Sequence, residues 1–460
     1  MSLLIKNADI VNADTRTQGD IYCAGETITC IGKNLEVPKG TKVIDAKGKY
    51  VFPGFIDPHV HIYLPFMGTF AKDDWKTASQ AALVGGTTTL IEMCCPSRKD
   101  ELLKSYQLWL ENAAGKSACD FTFHMGIARY DAQAEAELKQ IVKAGISSFK
   151  VFLAYKNFFG VTDEELYHTL ALAKRLGVIV TAHCENADLV AERQKMLLAE
   201  GKTGPKWHYH SRPPQVEAEG VHHLATFAEM HGTHVYCVHT SCKEALQAAM
   251  RARERGVSIW VETLIQYLTL SMKDAERPNF EGAKYVMSPP LRYACNQDVM
   301  WNGLRQGLVS TVATDHAPFD FKGQKEMGRK DFTKIPNGIP SLEDRMTVLW
   351  TKGVGEGRLD LHQFVSAGST QAAKLFGLAP RKGVVAVGAD ADLVVWDPKY
   401  RGTISVKKQY MNLDYNPFEG WKITGRPHVV TVRGEVAAKD GKFVGKLGRG
   451  QLLKREPNHF

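Results

Sequence analysis

The chain has 460 residues, 44% hydrophobic and 23% charged, a profile that suits a globular protein with one large domain and a smaller companion. Its 58 Lys and Arg against 50 Asp and Glu give a formal charge of +8, yet no run of like charges makes a nucleic-acid arm, and no stretch approaches the ~20 apolar residues of a membrane span. Nine scattered cysteines without a paired framework, and a first segment lacking a signal-peptide core, point to a reducing, cytoplasmic setting.

Residues 1–52 read as short strands with turns, at Leu3-Leu4-Ile5, 20–23, 27–31 and 42–45, punctuated by Gly25 and Gly32. Their alternation suits half-buried antiparallel strands. A matching β-rich block covers 383–398 and 429–434. Neither block is self-sufficient, so 1–52 and 376–440 are expected to pair into one small β-sandwich. Residues 53–375 form the main domain, and 441–460 a basic tail, either frayed or laid across a neighbouring subunit.

The middle alternates strand-like runs at 50–56, 87–93, 120–127, 147–153, 178–182, 234–238, 257–262 and 310–314 with helical patterns such as 163–176 and 217–230. Eight strands alternating with helices predict an α/β fold, a (β/α)8 TIM barrel. A doubly wound open sheet is the alternative. It calls for a Gly-rich phosphate turn after the first strand, where Asp57-Pro58-His59 stands instead. Gly353-Val354-Gly355-Glu356-Gly357 has no strand before it and reads as a turn.

A barrel carries its chemistry at the C-terminal ends of its strands. His59 and His61 follow the first run, and side chains at i and i+2 of an extended chain share a side, so both imidazoles can face one cation. His183 ends the fifth run, His239 the sixth and Asp315 the eighth, while Lys150 lies inside the fourth. As an ammonium, with a reference pKa of ~10.4, a lysine has no lone pair for a metal. Lys150 must therefore pair with an anion such as Asp315, or be carboxylated by CO₂ to a carbamate. His208-Tyr209-His210 repeats the His-x-His spacing in a polar, Pro-rich stretch and is assigned to structure or a loop contact.

These motifs resemble those of the amidohydrolase superfamily, and within it the hydantoinase/dihydropyrimidinase group. The resemblance spans nearly the whole chain. It rests on Pro53-Gly54-Phe55-Ile56-Asp57-Pro58-His59-Val60-His61, Gly85-Gly86-Thr87-Thr88-Thr89, Ser148-Phe149-Lys150, Ala182-His183-Cys184-Glu185-Asn186, Ser288-Pro289-Pro290-Leu291-Arg292, Thr314-Asp315-His316 and Gly388-Ala389-Asp390-Ala391-Asp392-Leu393. The stretch from Lys150 to Gly160 is most similar to bacterial D-hydantoinases. The resemblance implies two Zn²⁺ ions: His59, His61 and Asp315 on the buried one, His183 and His239 on the exposed one, and carboxylated Lys150 bridging both. It further implies a metal-bridging hydroxide that attacks a ring amide, Asp315 as proton carrier, Tyr155 as oxyanion donor, and Ser288 and Asn337 holding the imide edge. A homotetramer acting on a small cyclic amide is expected, with neither nucleic acid nor membrane as a partner.

Leu64, Phe66, Phe152 and Phe159 are candidate apolar walls for the ring's substituent. Tyr63 occupies the place where dihydroorotases carry an arginine. An allantoinase-like amidase is an alternative, although its polar substrate suits an apolar rim poorly. The other alternative, a non-catalytic dihydropyrimidinase-like scaffold, is opposed by retention of all six metal-ligand positions.

Overall fold

Both chain ends enter one sheet. In the computed structural model, which describes residues 2–457, the N-terminal strands are β1 (Ser2–Val11), β2 (Arg16–Ala24), β3 (Thr27–Gly32), β4 (Lys42–Asp45) and β5 (Tyr50–Pro53). β1 pairs antiparallel with β2, while β4 and β5 share its other edge in parallel, β4 along Leu3 to Lys6 and β5 at Asp9 and Ile10. The expected purely antiparallel set is thus mixed, because the chain crosses over after β3 before returning beside β1.

The central strands are β6 (Phe55–Val60), the hairpin β7 (Pro65–Phe66) and β8 (Thr69–Phe70), β9 (Thr87–Cys94), β10 (Asp120–Gly126), β11 (Ser148–Phe152), β12 (Ile179–His183), β13 (Val235–Cys237), β14 (Ile259–Leu264) and β15 (Thr311–Ala313). All but the hairpin form one parallel eight-stranded sheet in chain order. A bridge between Val60 and His316 brings its last strand back to its first, giving a TIM barrel. The helix Asp163–Leu176 starts on a Thr162/Glu165 capping box and stops at left-handed Gly177. Pro214–His231 begins earlier than its hydrophobic period suggests, because Pro214 fits the first helical turn.

The run at 50–56 is two strands. Gly54 divides it, leaving Tyr50–Pro53 in the end sheet and Phe55–Val60 in the barrel. The backbone is so close there that a Cβ on Gly54 would lie 2.1 Å from Thr88 Oγ1, which only glycine avoids.

The C-terminal strands are β16 (Leu393–Thr403), β17 (Lys422–Val432), β18 (Glu435–Lys439) and β19 (Lys442–Phe443). β16 pairs antiparallel with β5, Val395 opposite Val51, and so joins the two ends in one nine-stranded sheet. Leu3, Ile5, Ile21, Val51, Leu393 and Val395 belong to its own core. Residues 383–392, expected as strand, are irregular, because the Lys382 ammonium binds Asp390 and Asp392 at 2.9 and 2.7 Å and Asp392 accepts from the Arg433 N–H. The tail up to Pro457 is neither frayed nor extended away. Its backbone bonds to Phe121, and Arg455 is buried beneath the barrel.

Candidate active site

The strand ends deliver the expected residues to one place. His59 lies in β6, Lys150 in β11 and His183 at the end of β12; His61 directly follows β6, and His239 and Asp315 stand two residues beyond the ends of β13 and β15. His239 and Asp315 have positive φ of 40° and 48°. Left-handed backbone is costly for such residues and clusters at functional sites. A single cavity of about 40 Å³ is lined by all six, together with Tyr155, Ser288, Asn337, Leu64, Phe66, Phe152, Phe159 and Ala317. The four apolar walls are buried, with Phe66 and Phe159 stacked at 6.0 Å and Phe152 and Phe159 at 5.2 Å.

His59 and His61 each hold Nε2 3.1 Å from Asp315 Oδ1, and the three ligand atoms lie within 4.8 Å of one another. Despite that proximity His59 Nε2 makes no hydrogen bond, and neither do the buried Lys150 Nζ and His239 Nδ1. Buried polar atoms are ordinarily satisfied. Orphans converging with a carboxylate on one cavity fit a divalent cation. Lys150 is not paired with Asp315; its ammonium lies over the Phe152 ring at 4.7 Å, and burial pushes its pKa down. Burial likewise holds His59 and His239 well below the usual imidazole range, in the neutral form that ligates metals. Burial alone would raise the Asp315 carboxyl, but His59, His61 and Lys150 outweigh it and keep it low.

A second acidic group, Asp120, Asp390 and Asp392, offers no comparable vacancy for a metal. The Lys382 ammonium already bonds all three at 2.7, 2.9 and 2.7 Å.

Several supporting residues escape sequence reasoning. Glu262 accepts from His59 Nδ1 at 2.7 Å, the His239 N–H at 2.8 Å and the Tyr236 hydroxyl at 2.9 Å, while burial pushes its carboxyl up to about 8. It closes the seventh run, and a lone acid inside an apolar strand is the signal that could have found it. Glu185 accepts from His183 Nε2 at 2.8 Å and from Arg212 at 2.5 Å. Burial opposes its ionisation, but Arg212 and His183 hold it at about 2. Glu92 accepts from the N–H groups of Ile62 and Tyr63, fixing the chain just beyond His61. Such partners set the tautomer and aim of ligand histidines.

Tyr155 has φ +58° in a tight turn whose carbonyl accepts from the N–H groups of Phe158, Phe159 and Gly160. It is partly buried, and burial raises its phenol. Asn337 donates to Ser288 Oγ at 2.9 Å. The stretch around His208 is a short helix, Trp207–Ser211, and His208 is buried at 2.8 Å from the Met287 carbonyl and 3.3 Å from Ser288 Oγ. It supports the loop carrying Ser288.

Residues 50–437 match the Amidohydrolase family. The chain belongs to that family. It is 47% identical to a D-hydantoinase of Geobacillus stearothermophilus over 456 residues, 99% of this chain and 97% of that one. A solved D-hydantoinase (dihydropyrimidinase) from Thermus sp. superposes with a TM-score of 0.98 at 63% identity, covering 100% of both chains. The dihydropyrimidinase of Brevibacillus agri NCHU1002 also gives 0.98, at 44% identity over 100% of both. Family members are typically metal-dependent, in keeping with the ligand set.

Proposed function

We propose that this protein is a metal-dependent cyclic amidase that opens the ring amide of 5-substituted hydantoins, dihydropyrimidines or both, giving N-carbamoyl amino acids. The observation that carries the reading is the single cavity in which orphaned ligand atoms, an apolar wall and a polar edge meet. Its full-length likeness to D-hydantoinases and dihydropyrimidinases supports the same activity.

His59, His61 and Asp315 would hold one Zn²⁺, His183 and His239 a second, with Lys150 as a carbamate between them. Burial favours the neutral amine that CO₂ carboxylation needs. Bound there, the cations would bring the pKa of water toward ~7 and polarise the ring carbonyl. Asp315, at the floor of the cavity, takes the proton of the attacking water and returns it to the leaving ring nitrogen. The Tyr155 hydroxyl, kept protonated, donates to the carbonyl oxygen as negative charge develops on it. Ser288 and Asn337 exchange their mutual hydrogen bond for the ring's imide edge. Leu64, Phe66, Phe152 and Phe159 exclude water and face the substituent. We further infer a cytoplasmic location, in keeping with nine free cysteines, and a homotetrameric assembly.

The test is metal removal by a chelator followed by zinc reconstitution, assayed on dihydrouracil and a 5-aryl hydantoin. Activity should vanish and return. Absence of ring opening by fully metal-loaded protein would refute the proposal.

A further inference from the structure

Lys325 is a fully buried lysine outside the ligand set. Its ammonium donates to the carbonyls of Val286 and Pro336, each at 2.9 Å. No carboxylate faces it among the described residues, and burial alone pushes it well below the usual lysine range. Keeping a cation on two carbonyls is costly, so its placement calls for a reason. Val286 lies two residues before Ser288, and Pro336 directly precedes Asn337. The Val286 carbonyl also accepts from the Gly338 N–H at 3.0 Å. Lys325 therefore clamps together the two loops that carry the polar edge of the cavity.

The preceding residue reaches the opposite wall. Gln324 Nε2 donates to Thr69 Oγ1 at 2.7 Å and to the Phe70 carbonyl at 2.8 Å. These belong to β8, where Thr69 stands directly across from Phe66. The Gln324 amide oxygen accepts from the Asp320 N–H at 2.7 Å, and the Lys325 N–H donates to the Asp320 carbonyl at 3.0 Å. Adjacent side chains, anchored on one loop, thus hold the ring's polar edge and the substituent's apolar wall.

We propose that Gln324 and Lys325 are positioning residues that set these two surfaces against each other: Lys325 controls ring binding for every substrate, and Gln324 controls only discrimination by substituent. This rests on the cyclic-amidase reading and assigns within it which residues tune affinity and selectivity.

The zinc-loaded full chain and three variants, Gln324→Ala, Lys325→Met and Lys325→Gln, are compared on unsubstituted hydantoin and 5-phenylhydantoin. Loss of a charge-assisted clamp should raise KM for both substrates about tenfold in Lys325→Met, with kcat within about threefold and metal content unchanged. Lys325→Gln, which keeps donors, should recover part of that affinity. Gln324→Ala should lower the ratio of kcat/KM for 5-phenylhydantoin over hydantoin about fivefold, leaving hydantoin itself within about twofold. A fall in kcat at constant KM in Lys325→Met, or an equal loss on both substrates in Gln324→Ala, overturns the assignment. If Lys325→Met does not fold, the Gln324→Ala ratio decides.

Hydrogen exchange tests the same division without turnover. Lys325→Met should speed exchange at 286–288 and 336–338, and Gln324→Ala at 65–70; no change at these segments overturns the clamp. Wild-type protein that opens neither ring while these exchange changes appear refutes the cyclic-amidase reading and leaves the clamp standing.

Discussion

On the proposed reading, Lys150 makes the difference between one metal and two. An unmodified ammonium among neutral imidazoles has no acceptor there, and the structure leaves its Nζ without a hydrogen-bond partner. We expect Lys150→Ala to abolish ring opening and to lower zinc from about two ions per chain to at most about one, read by metal analysis. Tyr155 is separable from metal binding. Tyr155→Phe should reduce kcat by about 100-fold, the usual scale for one oxyanion donor, at unchanged zinc content. A change confined to KM would reassign the hydroxyl to substrate holding. His208 shows the limit of motif reading at this scale. Its His-x-His spacing matches that of His59 and His61, yet its imidazole bonds the Met287 carbonyl, since it sits on a short helix and not at a strand mouth.

Elements decide where those residues point. Gly54 is the junction at which the chain leaves the end sheet and enters the first barrel strand, and its contact with Thr88 leaves no room for a side chain. Gly54→Ala should cost about 2–3 kcal/mol of stability through overpacking, seen as a lower urea midpoint. Because β6 carries His59, zinc affinity should weaken as well. Glu262 in β14 aims His59 and bonds the His239 backbone. Glu262→Gln should weaken zinc binding by about 10–100-fold in a competition titration with a chelating dye, with the fold retained. Strand positions were legible because apolar runs of that length leave few alternatives. The split at residue 54 has a local signal in Pro53-Gly54, but flanking apolar residues hide it, and packing of Gly54 against Thr88 and Asp392 fixes the break there.

At the scale of the whole molecule, the two ends share a sheet through β5 and β16, and the tail returns beneath the barrel. Arg455 donates to the carbonyls of Phe123 and Phe376 and to the hydroxyls of Thr122 and Ser148. Ser148 Oγ in turn bonds His124, whose other nitrogen reaches the Pro58 carbonyl at 3.0 Å. Arg455→Ala would orphan these buried acceptors and should cost about 3 kcal/mol, measured as a shift in the urea midpoint.

The sequence by itself determined the alternating barrel, the pairing of the chain ends and the candidate ligands, because strand period and strand-end chemistry are short-range properties. Only the tertiary structure decided the partners that aim those ligands. Glu262 reaches His59 across 203 residues, and Lys325 joins loops anchored at Val286 and Pro336. Such contacts exist only once the barrel closes, and no local pattern encodes which buried acid or cation the closing ring will bring to which strand end.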